Sequence, residues 1–167
     1  KPFKHRAFCR RTLLGLGFTE AMHYSFLSAQ ELDLFDPRDA ANRLALPNPV
    51  SADYGVMRPS LLPQMLGSLG RNASRQVEFC GLFEMGRVFG KSAEGGPCEE
   101  ERLSMGLLGP FGRGAVDRQK AVTNEEALLW MKGAVENLVK TLRAGRLTFA
   151  TCEHPAAEPG FAVEISL

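Results

Sequence analysis

Three histidines are the first residues to consider for metal or acid–base chemistry. They are His5 in a basic stretch, His23 between Met22 and Tyr24, and His154 in a predicted loop. A zinc site needs several nitrogen, sulfur or carboxylate ligands at compatible spacing. None of the three histidines has a second histidine or a carboxylate at such a spacing, so the sequence predicts no metal site. For His23 the pattern favours a structural histidine with satisfied hydrogen bonds.

The motifs that support nucleophilic or phosphate chemistry are also missing. No G-x-S-x-G segment, which would place a serine nucleophile on a sharp strand-to-helix turn, occurs in the chain. The glycines at 15–17 and at 112–114 lack the spacing of phosphate-binding loops. Phosphate binding needs successive backbone amides held at the start of a helix. A helix stop and a flexible loop are therefore the predicted roles of these two glycine pairs.

The most informative polar residues lie around Arg58. The segment "NPVSADYGVMRPSLLPQMLGSLGRN", which starts at Asn48, brings this arginine from a turn-rich loop to the start of an apolar helix. Glu84 and Arg87 occur in the otherwise apolar stretch "LFEMGRVF". These residues are either ligands for polar groups of a substrate or members of a structural ion pair, because a buried charge requires a counterpart.

Arg58, Glu84, Arg87 and Asn48 are therefore the candidate structural or interface residues, and no catalytic, cofactor-binding or metal-binding residue is predicted. Arginine suits such a role because its five donors form a rigid fork. We expect Arg58 to fasten the loop at 48–54 to the sheet and to the following helix, through Glu84.

A basic cluster near the start of the chain is the candidate for contact with RNA. It consists of Lys1, Lys4, His5, Arg6, Arg10 and Arg11. Binding to a nucleic-acid backbone needs such charges on one face. A surface helix whose charges are solvated or paired has the same pattern, so both interpretations stay open.

Bulk composition excludes several classes of protein. Twenty Lys and Arg against 19 Asp and Glu give a net charge of +1, which provides no overall field to attract nucleic acid or anionic lipid. No apolar run approaches the roughly 20 residues of a membrane-spanning helix, so no membrane partner is predicted. The four cysteines lack C-x-x-C spacing, which favours reduced thiols in the cytoplasm. The 167 residues suit a single domain, 1–167, and the first residue, Lys1, suggests a piece of a longer multidomain subunit.

Hydrophobic periodicity and capping signals give the order of elements. Helices are predicted at 3–16, at 28–35 with a Ser28–Glu31 capping box, from Ser60, and from Thr123. Strands are predicted at 19–26 ("TEAMHYSF"), 43–46, 77–89, 102–109, 146–150 and 161–167. The polar stretch "GKSAEGGPCEEE" is predicted to lie outside the sheet. This order predicts an α+β fold, in which a mainly antiparallel sheet is flanked by helices.

Four segments in order resemble one known family. "LLGLGFTEAMHYSF", "LPNPVSADYGVMRPSLLPQMLGSLGRN", "LFEMGRVF" and "WMKGAVENLV" are similar to the synthetase-like core of the β subunit of bacterial phenylalanyl-tRNA synthetase, over about residues 3 to 167. The resemblance implies a class II aminoacyl-tRNA synthetase-like core, here truncated. It also implies a cytoplasmic (αβ)2 heterotetramer whose α subunit is catalytic and which attaches phenylalanine to tRNA with ATP and Mg2+.

The resemblance further implies that this module is a degenerate copy that does no chemistry. A working class II site carries an arginine in an F-R-x-E setting, because the charge that develops on the α-phosphate must meet a fixed cation. The strand that corresponds to it, "LFEMGRVF", has Glu84 after Phe83. No G-x-G-x-x-R segment occurs before Leu167. We therefore expect no ATP or Mg2+ in this module and a role in packing against the α subunit; the alternative is a retained nucleotide- or tRNA-binding role in the same enzyme.

Overall fold

The computed structural model describes residues 2–111, 116, 120–159 and 162–166, with side chains from residue 5 onward. Its helices are α1 (Pro2–Gly15), α2 (Ala29–Phe35), α3 (Leu62–Ser74) and α4 (Asn124–Leu142). Its strands are β1 (Thr19–Glu20), β2 (Phe26–Leu27), β3 (Val56–Met57), β4 (Cys80–Lys91), β5 (Pro97–Leu108), β6 (Thr148–Cys152) and β7 (Ala162–Ser166). Short 3-10 helices occupy Pro37–Asn42 and Ala52–Tyr54.

The β4–β5 hairpin is the centre of the main sheet. Its two 12-residue strands pair antiparallel from Cys80 opposite Leu108 to Lys91 opposite Pro97. The short β1 adds to the other side of β4 in parallel, which gives the order β1–β4–β5. Two further antiparallel pairs, β2–β3 and β6–β7, lie outside this sheet. The predicted α+β fold with a mainly antiparallel sheet is confirmed.

The helices begin where the capping signals predict. The Ser28 hydroxyl accepts a hydrogen bond from the Glu31 backbone N–H, and the Glu31 side chain accepts one from the Ser28 N–H, which completes the capping box of α2. The Thr123 side chain accepts from the Glu126 N–H at the start of α4. At α3 the N-cap is Leu61, one residue after the predicted Ser60.

Both faces of the sheet are covered, as the apolar run in β4 predicts. On one face, buried side chains from α1, the turn before β1, β4 and α4 form the largest core cluster: Leu13, Phe18, Phe83, Met85, Ala134 and Leu138. On the other face, α3 contributes Met65. A Cβ at Gly106 of β5 would lie 2.6 Å from the Leu69 Cδ1 atom, so the glycine allows α3 to approach the sheet closely.

Two predicted strand assignments are wrong. The stretch 19–26 is not one strand: after β1 the Ala21 N–H still bonds to β4, at Phe83 O, 2.7 Å away, and the His23 N–H bonds to the Glu84 side chain; the chain then leaves the sheet until β2, which pairs with β3. The predicted strand at 43–46 is reduced to one bridge between Ala45 and Val56. Its other backbone bonds are isolated, from the Leu46 N–H to Gly55 O and from the Met57 N–H to Leu44 O, both at 2.9 Å.

The polar stretch at 90–101 also belongs to the sheet, against the prediction. Only residues 92–96 lie between β4 and β5, and Gly95 takes a left-handed φ of 83° that a side chain would strain. The acidic side chains of β5 face solvent, where Glu99 pairs across the hairpin with Arg87 at 2.5 Å. Polarity on an exposed sheet face is compatible with a strand, so composition misled the prediction here.

Candidate functional site

The backbone of Arg58 fixes the position of the candidate site. Arg58 follows β3, its N–H donates to Ser25 O at 2.9 Å, and its own carbonyl accepts from the Phe89 N–H at 2.9 Å. These two bonds tie the segment after β3 both to the strand end at β2 and to β4. The side chain is thereby directed under the start of α3, where only 3% of the residue stays exposed.

The Arg58 guanidinium binds protein acceptors on two elements. Its Nη1 donates to Glu84 Oε1 at 2.8 Å and to Gln64 Oε1 at 3.2 Å, and its Nε donates to the carbonyl oxygen of Arg87 at 2.9 Å. Glu84 and Arg87 belong to β4, and Gln64 belongs to α3. The predicted loop at 48–54 receives none of the hydrogen bonds found for this side chain, so the guanidinium fastens α3 to the sheet rather than that loop.

Gly86 makes room for this ion pair. A Cβ at Gly86 would lie 2.3 Å from Arg58 Nη2, 3.0 Å from Glu84 Oε1 and 3.1 Å from Leu61 Cδ2. Such distances are shorter than van der Waals contact, so a side chain at this position would collide with the buried pair. The glycine in "LFEMG" is therefore explained by packing and not by a bend in the strand.

Glu84 joins the arginine to a histidine. Its residue is 2% exposed, its Oε2 lies 2.6 Å from His23 Nδ1, and its Oε1 accepts from the His23 backbone N–H at 3.3 Å. On the opposite side of the ring, His23 Nε2 lies 2.6 Å from Ser68 Oγ on α3. His23 is thus the satisfied structural histidine that the sequence favours, but its partners lie 61 and 45 residues away.

Hydrogen-bond complementarity fixes the direction of this chain. A carboxylate only accepts, so His23 Nδ1 carries the hydrogen that is donated to Glu84. In the neutral ring Nε2 is then the acceptor, and it receives the hydroxyl hydrogen of Ser68. Arg71 Nη2 donates to the same hydroxyl oxygen at 2.6 Å. Hydrogen bonds are therefore donated from Arg71 to Ser68, from Ser68 to His23 and from His23 to Glu84.

The other two candidate residues lie outside this network. The Arg87 side chain lies on the face of β4 opposite to Glu84, where it is exposed and pairs with Glu99. Although Arg87 and Glu84 are close in sequence, their side chains therefore make no contact. Only its backbone carbonyl reaches Arg58. Asn48 is exposed in the loop before the second 3-10 helix.

Two members of the basic cluster on α1, Arg6 and Arg10, are paired with carboxylates of the same chain. Arg6 Nη1 pairs with Glu101 at 2.6 Å, and Arg10 forms a two-bond pair with Glu20 at 2.7 and 2.8 Å. Hydrogen bonding to Arg10 lowers the pKa of the Glu20 carboxyl. Lys1 and the Lys4 side chain lie outside the described residues. Two of the predicted RNA-binding cations are therefore engaged in ion pairs between elements.

A cavity of about 560 Å3 opens between α2, the 3-10 helix that follows it and the turn end of the β4–β5 hairpin. Two ion pairs lie at its wall, Arg38 with Asp36 at 2.9 Å and Arg102 with Glu100 at 2.8 Å. The hydrogen bond from Arg38 lowers the pKa of the Asp36 carboxyl to about 2. Arg43, Lys91 and Asp39 also line the cavity, so cationic and anionic side chains are interspersed along its wall.

Among the described ranges, no group of three or more His, Cys, Asp or Glu side chains is arranged to hold a metal ion. Within the same ranges, no helix is both long enough and apolar enough to cross a membrane.

Sequence reasoning missed Ser68, Gln64 and the identity of the partners of His23. Ser68 and Gln64 are polar positions on α3, and nothing in their local pattern separates them from solvent-exposed residues. The chain separations of 45 residues for Ser68–His23 and 61 for His23–Glu84 mean that only tertiary packing brings the three together. The available signal was the isolated carboxylate in an apolar strand, which requires some buried partner.

Two solved structures share the fold of this chain. The pyrrolysyl-tRNA synthetase PylSc of Desulfitobacterium hafniense matches with a TM-score of 0.71 at 17% identity, over 98% of this chain and 51% of its own. A second structure of pyrrolysyl-tRNA synthetase from that organism matches with a TM-score of 0.69 at 13% identity, over 89% and 49% of the two chains. The chain has the fold of a class II aminoacyl-tRNA synthetase, as predicted.

Sequence similarity identifies the family within that class. Residues 1–167 match the family described as the phenylalanyl tRNA synthetase beta chain CLM domain. Phenylalanine–tRNA ligase beta subunits of Clostridium tetani and of Pseudomonas fluorescens strain Pf0-1 are 32% identical over 152 residues and 33% identical over 159 residues. These matches cover 89% and 90% of this chain but only 18% of each relative. The chain belongs to the phenylalanyl-tRNA synthetase β chain family, which confirms the resemblance.

Proposed function

We propose that this module is a non-catalytic structural and assembly part of a cytoplasmic phenylalanine–tRNA ligase. It packs against the catalytic α subunit in an (αβ)2 heterotetramer, and the complete enzyme charges tRNA with phenylalanine using ATP and Mg2+. The module itself holds neither ATP nor metal.

The observation that carries the non-catalytic assignment is the internal pairing of Arg58. Adenylate formation requires a cation that is free to meet developing charge on a phosphate. Arg58 Nη1 instead bonds to Glu84 and Gln64, and the residue is 3% exposed. A phosphate at this place would have to displace a buried carboxylate that stays in contact with the same strand, and the two anions would repel each other.

Exposed apolar side chains support the assembly role. Met22 is 91% exposed and Tyr24 is 74% exposed in the segment that leaves the sheet after β1, and the Tyr24 ring lies 6.2 Å from the Tyr54 ring. On α3, Leu62 and Leu66 are also exposed, while Met65 and the N-cap residue Leu61 are buried. Clustered exposed apolar residues are typical of protein interfaces.

Met22, Tyr24 and Tyr54 are the proposed contact surface for the α subunit, which we call the 22–54 patch. The α subunit is the proposed occupant, because the relatives are named as beta subunits and a beta subunit implies an alpha partner. Tyrosine and methionine are also enriched in the cores of protein interfaces. The exposed Leu62 and Leu66 extend the apolar surface on α3.

A calorimetric titration with Mg-ATP, with and without phenylalanine, tests the non-catalytic assignment. The titration is done on the purified β subunit without α. We expect only the heat of dilution, because Arg58 is engaged by Glu84 and Gln64 and the described part of the chain holds no cluster of metal ligands. Saturable binding with a micromolar Kd would mean that a nucleotide pocket survives, and the assignment would be wrong.

Co-purification with a tagged α subunit tests the assembly role. The double variant Met22→Ser/Tyr24→Ser is expected to weaken recovery of the complex at least tenfold while its thermal unfolding stays unchanged. Leu34→Ser is the matched control, since Leu34 is 87% exposed on α2, outside the patch. Equal recovery of the double variant and the control would remove the 22–54 patch from the interface.

A further inference from the structure

Ser68, His23 and Glu84 form a hydrogen-bonded chain with the connectivity of a serine nucleophile, its base and a carboxylate that orients the base. The two links, Ser68 Oγ to His23 Nε2 and His23 Nδ1 to Glu84 Oε2, are both 2.6 Å. A nucleophile and base within hydrogen-bond reach, with a third group that orients the base, is the arrangement that activates a hydroxyl. The same roles occur on unrelated folds, so the arrangement is recognised by geometry and not by a sequence motif.

We propose that Ser68 is a nucleophile toward small activated acyl compounds, with His23 as its general base and Glu84 as a positioning residue. Ser68 Oγ attacks the carbonyl carbon, and its proton passes to His23 Nε2. The bond to the leaving group breaks, the leaving group takes the proton from His23, and Ser68 is left as an ester. Water then attacks this ester while His23 Nε2 takes its proton, the bond between Ser68 Oγ and the acyl carbon breaks, and His23 returns the proton to Ser68 Oγ as the acid is released.

Burial supports the assignment of roles. The side chain of His23 is 12% exposed and that of Glu84 is 3% exposed, so the base and its partner are held by packing and cannot turn to solvent. Ser68 is partly exposed on α3, so a small reagent can approach its hydroxyl. The Arg58–Glu84 bond fixes the carboxylate from its other oxygen, which keeps the His23 ring in one orientation.

Arg71 supplies the positive charge that an oxyanion needs. Its Nη2 lies 2.6 Å from Ser68 Oγ, so it is adjacent to the oxygen that develops on an attacked carbonyl. Fixed donors at such a position stabilise the tetrahedral intermediate. Ser68 lies within a helix, where the neighbouring backbone N–H groups bond to the helix itself. With one side-chain donor in place of a pair of backbone donors, we expect acylation to be easier to detect than turnover.

Ser74 is a matched internal control. It lies on the same helix and is more exposed than Ser68, and its hydroxyl donates to Arg71 O at 3.0 Å rather than to a histidine. Simple accessibility would therefore favour reaction at Ser74. Activation by a histidine favours Ser68.

The test is labelling by a small fluorophosphonate, which reacts with activated serines with loss of fluoride. The protein is used in its complete natural form, and the modified residue is located by peptide mass spectrometry. We expect the label on Ser68 to form at least about 100-fold faster than on Ser74, the lower end of the gain from general base catalysis. Label on Ser74 at an equal or higher rate, or on neither serine, would overturn the proposal.

Variants separate reactivity from folding. Ser68→Ala should remove the label without moving it to Ser74, and His23→Phe should reduce labelling of Ser68 to the level of Ser74. If His23→Phe does not fold, the ratio of Ser68 to Ser74 in the unmodified protein still decides the question. A purely structural network predicts a change in melting temperature for both variants and no serine label in any of them.

Discussion

Replacement of Arg58 by methionine tests the physical basis of the site most directly. Methionine retains much of the aliphatic volume of arginine but removes the charge and all donors. Glu84 would then be a 2%-exposed carboxylate without its cation, bonded only to His23. The Arg87 carbonyl would also lose the bond from Arg58 Nε. Both changes leave buried polar groups unsatisfied in the native state.

The expected cost follows from burial. Removal of one partner from a buried ion pair typically destabilises a protein by about 3–5 kcal/mol, because the remaining charge is left uncompensated. For a chain of this length, 1 kcal/mol shifts the melting temperature by roughly 2–4 °C. Arg58→Met should therefore lower the melting temperature by roughly 6–20 °C.

Chemical denaturation provides the assay, with Arg87→Met as the matched control. Arg87 lies on the same sheet as Glu84, but the side chains of its pair with Glu99 are 66% and 46% exposed. Exposed pairs contribute about 0–1 kcal/mol, so the control should change the free energy of unfolding by no more than this. A Glu84→Gln variant combined with Arg58→Met should cost less than the sum of the two single changes, because the pair is one coupled unit.

Two results would refute the reasoning. If Arg58→Met costs no more than Arg87→Met, the buried pair contributes nothing beyond an exposed one. If Arg58→Met leaves the free energy of unfolding unchanged but abolishes binding of the α subunit, Arg58 is an interface residue and not a fastening between α3 and the sheet.

Three further predictions concern local features. Gly86→Ala should destabilise the protein by about 1–3 kcal/mol through overpacking. A Cβ at Gly70 has no neighbouring atom within 4 Å, so Gly70→Ala should stabilise α3 by about 0.5–1 kcal/mol. Urea denaturation measures both changes. Ser28→Ala should cost about 0.5–2 kcal/mol through loss of the α2 cap, measured in the same way. The bond from Arg38 lowers the pKa of Asp36 from 3.8 to about 2. The contribution of this pair to the free energy of unfolding is therefore present above the unfolded-state pKa and is lost as the pH falls from about 4 to about 2. Asp36→Asn should therefore melt below the unmodified protein at pH 7, with a difference that disappears over this interval.

Local signals in the sequence predict the elements of this fold well where one strong pattern governs a segment. The capping residues Ser28 and Thr123 place the starts of two helices, and the apolar run at 77–89 identifies the central strand. The hairpin was harder to delimit, because its outer half is polar on an exposed face. In this outer half, strand conformation results from backbone pairing between β4 and β5, and the composition of a segment does not reveal such pairing.

For a related reason, the sequence predicts the ion pair of the candidate site but not the other partners of its two residues. An arginine near an apolar helix and a carboxylate in an apolar strand require burial with partners, so an ion pair between Arg58 and Glu84 was a reasonable expectation. The packing of β1, β4 and α3 decides which segment the Arg58 guanidinium contacts. It also decides which histidine bonds to the Glu84 carboxylate. Arg87 shows the limit of sequence proximity, since the alternation of side chains along β4 places it on the opposite face from Glu84.

Glu84 connects the structural and the chemical interpretations of the site. Its Oε1 receives the Arg58 guanidinium and its Oε2 orients His23. A carboxylate held by both oxygens has little freedom to rotate, so the His23 ring and, through it, the Ser68 hydroxyl are held by the same contacts that fasten α3 to the sheet. The packing of the module and the reactivity proposed for Ser68 are therefore not independent, because loss of Arg58 releases the carboxylate that orients the base.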